Sequence, residues 1–426
     1  MLMTQMLSKS TILYENLQRK YSRKINLDLT RIKKVLKKLG DPQTKIKNPI
    51  NILGSDGKMS VLTTLKYLLE ANYEKVTTFT SPHLYDVRSR ICLKNRYISL
   101  RDLKKFIKKV EQKRCKLTLF ELLTSAYVLA ASKQTNVSYN LCESGLLFRK
   151  DSTNLWTHPK AQIVTNINFQ HKQWVKPQTI NQICKEKVGS LSNTSTIYIA
   201  KQKPKVLKII KGILKKNKSR KIYYGTWKIR KIKNKLYYID HSNKILLKSK
   251  FINSQGLWDN IGLGIKVALD LGVSKNVISK TIPKIEFEGR VQYIKKGRLK
   301  RLLQSKEKLL IDGCHSTTSA QNLANYLRTV KKPIYGIWGM QSNRDPKKFI
   351  RCFRGIFKQI ITLKIPNETS SEKANRLKKI ATESGFNANI GKNMLEVIKG
   401  LSNKKEKVIV VFGSLYLVGN VLRLNN

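Results

Sequence analysis

The chain has 426 residues, 41% of them hydrophobic, which is more than one core usually supports, so two globular domains are expected and a disordered or fibrous chain is excluded. Its 85 basic residues against 26 acidic ones leave a formal net charge of +59. No apolar run reaches the roughly 18 residues of a membrane span, so no membrane partner is expected. The N-terminal stretch, Met1 to Ser10, lacks an apolar core and a small-residue cleavage pattern and reads as no secretory leader. Cys92, Cys115, Cys142, Cys184, Cys314 and Cys352 are scattered, with no C-x-x-C pair. That pattern points to reduced thiols in a cytoplasmic protein, not to a disulfide framework or a zinc site.

The charge has two readings. Excess lysine attracts phosphate backbones, which would make the chain a basic nucleic-acid-binding protein. Yet Lys, Asn and Ile abound throughout, as an A+T-rich coding sequence would produce, and no DNA- or RNA-binding motif accompanies them. No specific nucleic-acid partner is expected.

In chain order, Leu27 to Leu39 carries Ile32, Val35, Leu36 and Leu39 at helical spacing and stops at Gly40 and Asp41-Pro42. Pro49 to Leu53 reads as a strand, Val61 to Glu70 as a helix with a leucine stripe, and Lys75 to Thr80 as the next strand, the unit that builds parallel sheets. Phe120 to Ser132 is a second strong helix, and Ser138 to Cys142 and Ala161 to Ile167 are further strands. The Lys-rich stretch Lys205 to Lys250 reads as a peripheral antiparallel hairpin region, and Trp258 to Leu271 as a helix. From about Arg290 an α/β pattern restarts. Its strands are Leu309 to Ile311, Ile334 to Trp338, Gln359 to Lys364 and Val408 to Phe412; its helices are Ala320 to Val330, Ser371 to Ser384 and Tyr416 to Leu424.

Between the first strand and helix lies Gly54-Ser55-Asp56-Gly57-Lys58-Met59-Ser60. Glycines let backbone N–H groups approach a phosphate, and the helix N-terminus adds a favourable dipole. Lys58 can neutralise phosphates and Ser60 can reach Mg²⁺. Ile52 stands where the usual phosphate loop has its first Gly, so an ordinary turn with a solvated lysine is the bland alternative.

This loop resembles the G-T-N-G-K-G-S loop of the folylpolyglutamate synthase/dihydrofolate synthase family, relatives of the Mur ligases. Other segments are similar in the same order: Thr80-Ser81-Pro82-His83-Leu84, Thr118 to Glu121, Glu143 to Asn154, Glu186 to Gly189, Gly289-Arg290, Asp312 to His315 and Phe412 to Tyr416. The resemblance implies an α/β chain. Residues 1–289 would be an ATP-binding, P-loop-type domain with a mainly parallel sheet, and 290–426 a smaller Rossmann-like glutamate-ligase domain. It implies an ATP- and Mg²⁺-dependent ligase, a cytoplasmic monomer, that adds L-glutamate to dihydropteroate or folate through an acyl phosphate. The alternatives are a Mur-like ligase with another acyl substrate and a non-catalytic basic relative.

The implied roles follow residue by residue. Gly54, Ser55, Asp56, Gly57, Lys58, Met59 and Ser60 would hold ATP, with Asn260 at the base, Arg290 at the phosphates and Asp312 at the sugar. Ser60, Ser81, Glu143, His171 and Lys187 would surround metal ions, Lys187 as the family's carbamylated lysine. His315 and Ser414 would position glutamate. Lys58, Lys187, Arg290 and His315 would be the catalytic set. Taken without the resemblance, Lys187 reads as a solvated helix lysine, Arg290 equally as a functional contact or an interface ion pair, and helix capping is the bland reading of Asp312 and Ser414. The chain departs from the family at several places: Asp56 for Asn, Met59 for Gly, Leu147-Phe148 for Gly-Gly, Gln170 for the Asp before His171, and Ser316-Thr317 for Asn-Pro.

Overall fold

Five consecutive buried residues, Pro49–Leu53, form β1, as expected of a strand covered on both faces in a parallel sheet. The computed structural model describes residues 9–21, 25–219, 221–249, 251, 252, 254–403 and 405–425. Residues 1–8 of the stretch read as leaderless lie outside the described residues, as do Arg220 and Lys250 of the Lys-rich stretch. The chain divides into two compact units, one of residues 1–249 and 258–285, the other of residues 250–257 and 286–426. Among the described residues no helix is long and apolar enough to cross a membrane.

In the first unit β1 joins β2 (Val76–Phe79), β3 (Ile91–Leu93), β4 (Arg96–Tyr97), β5 (Tyr139–Glu143), β6 (Ala161–Val164), β7 (Thr196–Ile199) and β8 (Ile222–Tyr224). Their order across the sheet is β4-β3-β2-β5-β1-β6-β7-β8. From β2 to β8 the pairing is parallel, and β3 and β4 add an antiparallel edge. One face is covered over β2 and β5 by helices Thr30–Lys38, Leu100–Glu111 and Leu119–Ala131. Over β6 and β7 it is covered by Ile180–Val188 and Pro204–Leu214. Phe79 and Tyr127, both fully buried, stack at 5.0 Å in the first of these layers. The other face carries helix Lys58–Ala71, which packs on β1 and β5. The helix is crossed closely at Gly264, where an added Cβ would lie 2.7 Å from Thr64.

The Lys-rich stretch differs from the hairpin expectation. Helix Pro204–Leu214 comes first, burying Val206, Ile210 and Leu214, and β8 then extends the main sheet in parallel. Only afterwards do β9 (Lys228–Ile232), β10 (Lys235–Ile239) and β11 (Lys244–Leu247) form a separate antiparallel sheet. The lysines between its apolar positions hid the i, i+4, i+8 stripe of that helix.

The second unit has β12 (Gln292–Tyr293), β13 (Glu307–Asp312), β14 (Ile334–Trp338), β15 (Phe357–Thr362), β16 (Ala388–Ile390) and β17 (Lys407–Phe412). Their order is β12-β13-β17-β14-β15-β16, parallel except for β12. Helices Thr317–Leu327, Pro346–Arg351 and Ala374–Glu383 share one core with Leu310, Val408, Val410 and Phe412. The final helix Leu415–Asn425 packs on β13 and β17 without joining that core. The chain therefore leaves β13 and β17 toward opposite faces. Between such strands a crevice opens at the carboxyl ends, the usual ligand position in an open α/β sheet.

Candidate functional site

β1 ends at Leu53, and the chain passes Gly54 (φ +140°) and Gly57 (φ +94°) before helix Lys58–Ala71 begins. Both glycines are required by their surroundings. A Cβ on Gly54 would fall 2.0 Å from Thr165 Oγ1, and one on Gly57 2.3 Å from Asn260 Oδ1. No side chain caps the helix at Gly57, so its first N–H groups keep capacity for an anion. Ser60 is buried in that first turn, while Lys58 and Met59 are half-buried.

Two lysines converge on this loop. Lys187 Nζ donates to the Gly54 carbonyl at 2.8 Å, and Lys58 Nζ reaches the same oxygen at 3.4 Å. Lys187 is 2% exposed, on helix Ile180–Val188. Burial, reinforced by the Lys58 charge, pushes its amine down to about 7, against the partial opposition of Asp151 and Asp56. The bland reading of a solvated helix lysine is thereby excluded. Two amines held this close repel each other when charged, and a phosphate would relieve that repulsion.

Beside them β5 ends at Glu143, whose register partner on β1 is Ile52. The Glu143 side chain is buried, and its Oε2 accepts from the Ser81 backbone N–H at 3.1 Å. Ser81 follows β2 and precedes Pro82 through a cis peptide bond. Its hydroxyl is buried without a hydrogen-bond partner, as is that of Thr165. Among the described residues no group of three or more His, Cys, Asp and Glu gathers as a metal cage. Mg²⁺ does not need one, since it binds through one or two carboxylates, substrate phosphates and water. An unsatisfied hydroxyl against a buried carboxylate fits such an ion.

The segment after β6 closes the loop from above in sequence. Ser55 N donates to Asn166 O at 2.8 Å, and Asn168 N donates to Ser55 Oγ at 3.1 Å. His171 comes next, in the left-handed region at φ +64°, heading the short turn Lys172–Trp174. Thus Gly54 to Ser60, Ser81, Glu143, His171, Lys187 and Asn260 all belong to one unit. His83, in the same loop as Ser81, accepts from Arg90 Nε at 2.8 Å and meets the Tyr14 ring edge-on at 4.3 Å. Burial, with the Arg90 charge, keeps its imidazole well below its ordinary range, hence neutral.

Sequence reading passed over Thr165, Asn168 and Asp151. Asp151 lies inside a quoted motif, and its buried carboxyl accepts from Leu146 N, Thr153 N and Thr153 Oγ1. Burial pushes it above the usual carboxylate range in spite of these bonds. Thr165 directly follows β6, where its N–H donates to Leu53 O, a position that could have marked it.

The second unit holds the other four residues. Asp312 ends β13, buried, and accepts from Val291 N at 2.9 Å and Cys314 N at 2.8 Å. Burial raises its carboxyl, while the Arg290 charge works the other way. Val291, β-branched, sits at φ +46°, a strained conformation that the Asp312 bond helps hold. Asp312 thereby fixes the turn that carries Arg290. His315 Nδ1 pairs with Gly313 O at 2.9 Å. Ser414 is buried at the end of β17, where its Oγ accepts from Tyr416 N at 3.1 Å and its carbonyl accepts from Val418 N.

Comparison with known proteins agrees with this geometry. Residues 295–424 match the family model described as dihydrofolate synthetase, C-terminal domain. The dihydrofolate synthetase of Saccharomyces cerevisiae is 25% identical over 439 residues, covering 94% of this chain and 98% of the yeast one. The crystal structure of the Thermotoga maritima folylpolyglutamate synthase superposes with a TM-score of 0.79 at 25% identity, covering 97% of both chains. The bifunctional Yersinia pestis folylpolyglutamate synthase/dihydrofolate synthase, solved with AMPPNP and a Mn ion, shares the fold with a TM-score of 0.82 at 20% identity, again covering 97% of each. With its motifs in order, its two α/β units and its phosphate loop in place, the chain is similar along nearly its whole length to the folylpolyglutamate synthases and dihydrofolate synthases.

Proposed function

We propose that this chain is an ATP-dependent carbon–nitrogen ligase that joins L-glutamate to dihydropteroate, to a reduced folate, or to both. The observation that carries this reading is the convergence of Lys58 and Lys187 on the Gly54 carbonyl at the head of an uncapped helix. The dihydrofolate synthase reaction takes precedence, supported by the family model over residues 295–424 and by the yeast relative.

A carboxylate is a poor electrophile until phosphorylated, and moving a phosphoryl group onto it crowds anionic oxygens together. Lys58, the backbone of Gly54 to Met59 and Arg290 would bind and orient those oxygens. Ser60, Ser81, Glu143, His171 and Lys187 would hold magnesium, which supplies charge neutralisation at the phosphates when bound. Lys187 is suited to become a ligand through its depressed basicity. A neutral amine would form an N–C bond to CO₂ and release a proton, leaving a carbamate whose single negative charge is shared by two oxygens. Asn260, packed against Gly57, would meet the nucleotide base, and Asp312 the ribose. His315 and Ser414 would orient the incoming glutamate. The chain would act as a monomer in the cytoplasm.

The test is phosphate release from purified protein with ATP, Mg²⁺ and L-glutamate, with and without dihydropteroate or tetrahydrofolate. Release that requires glutamate and a pterin acceptor is expected, with dihydropteroate preferred. ATP binding without release on either acceptor would overturn the folate assignment and point to another acyl substrate.

A further inference from the structure

A carboxylate inside a phosphate loop opposes the ligand the loop serves, so Asp56 needs a physical reason to be there. Its Oδ2 accepts from Asn168 Nδ2 at 2.6 Å and from Gln170 Nε2 at 3.0 Å. Asp56 also forms an isolated antiparallel bridge with Asn166. The backbone bond from Ser55 to Asn166 and the Asn168 bond to Ser55 Oγ lie alongside. Every one of these contacts joins the loop to the segment that ends at His171, 114 residues away from Asp56 at Gln170.

We propose that Asp56 is a positioning residue and not a phosphate contact: its carboxylate latches the His171 segment onto the phosphate loop, with Gln170 as the chosen partner. The family resemblance leads one to expect Asn at position 56 and Asp at 170, and here the carboxylate and the amide have changed places. The exchange keeps one charge across the pair, and in this chain the carboxylate is held by the amide. Two departures that look independent in the sequence are a single compensated exchange. A carboxylate at both positions would set like charges against each other across the same contact. Amides at both would keep a weaker bond and remove the negative charge that Lys187 senses.

The test is a double-mutant cycle on the full chain: wild type, Asp56→Asn, Gln170→Asp, and both together. Melting temperature without ligands reads the latch itself; kcat and fluorescent-nucleotide affinity read its consequence, and these two rest on the ligase reading. Gln170→Asp is expected to melt lowest and to lose kcat on the order of tenfold, the size of a strong contact coupling. Asp56→Asn should lose less, and the double variant should regain both melting temperature and kcat. Additive losses in the double variant would overturn the exchange. So would an Asp56→Asn protein with altered nucleotide affinity but unchanged melting, which would make Asp56 a direct phosphate contact. If the wild type shows no glutamate-dependent turnover, the ligase reading fails, and the melting cycle still decides the latch.

Discussion

The two units place their functional residues alike, at the carboxyl ends of parallel strands, yet treat them in opposite ways. At the ends of β1, β2 and β6 some groups are left wanting partners among the described residues. Two lysines share one carbonyl, and the hydroxyls of Ser81 and Thr165 have no hydrogen bond. At the ends of β13 and β17 the same kinds of group are satisfied locally. Asp312 takes two backbone N–H groups, His315 pairs with Gly313, and Ser414 caps a helix. Unsatisfied polar groups cost stability, so they persist where a ligand repays them. The first unit thus keeps polar groups ready for a ligand, whereas the second satisfies its groups with its own backbone. Substitutions in the first should cost activity and little stability, and substitutions in the second should cost both.

The largest expected effect is that of Lys58→Ala. Half-buried and bonded only weakly to Gly54, Lys58 contributes little to folding. Turnover should fall by roughly two to three orders of magnitude, as when a preorganised charge-stabilising donor is lost, with the melting temperature nearly unchanged. Glutamate-dependent phosphate release and a thermal melt on one preparation check both halves. Unchanged turnover would remove Lys58 from the site.

Asp312→Ala should reverse that balance. It strands two buried backbone N–H groups, at about 1–3 kcal/mol each, and frees the strained turn at Val291. The second unit should then unfold at lower urea than the first, splitting the transition, and activity should fall because Arg290 loses its fixed turn. A single unshifted transition would show that the strain at Val291 does not depend on this carboxylate.

Much of this contrast was legible beforehand. Pro49–Leu53 reads as a strand because a short, mostly apolar run ends at glycine, and Ile334–Trp338 matches its expected bounds. Helix Leu100–Glu111 carried a clear signal, with Ser99 accepting from Asp102 N and Leu103, Phe106, Ile107 and Val110 at helical spacing, but it was passed over. Pro204–Leu214 was hidden because lysine fills its solvent face and the surrounding chain alike. Candidate residues were legible through motif order, whereas their partnerships were not. Asp56 and Gln170, or Lys187 and Gly54, meet only through folding, and no local pattern encodes a contact across more than a hundred residues. Burial of Lys187, which decides its chemistry, depends on that same long-range packing.

Lys187 offers a pH test of the first unit. Its amine titrates at about 7 in the folded chain against an ordinary 10.5. Between those values the unfolded chain binds a proton that the folded chain does not, so stability rises with pH across the window and flattens below about 7. Lys187→Met keeps the bulk and removes the charge. Urea midpoints for the two proteins at several pH values should therefore converge as pH rises, with the variant more stable at the acid end and inactive throughout. Parallel curves would mean that the amine is not neutral in the folded chain.

The smallest expected effect belongs to Ser414, where structural and substrate roles must be separated. Ser414→Ala removes a helix cap and should cost about 1 kcal/mol, whereas Ser414→Gly should cost only a few tenths. If the hydroxyl serves only the helix, activity should follow stability, and the Gly variant should work nearly as well as wild type. If it also orients glutamate, both variants should raise the KM for glutamate by a similar factor while their melting temperatures differ. The second pattern is expected. Ser414 follows β17, beside the strand that delivers His315, and its hydroxyl, acting as acceptor toward Tyr416 N–H, keeps its own proton to donate to a carboxylate.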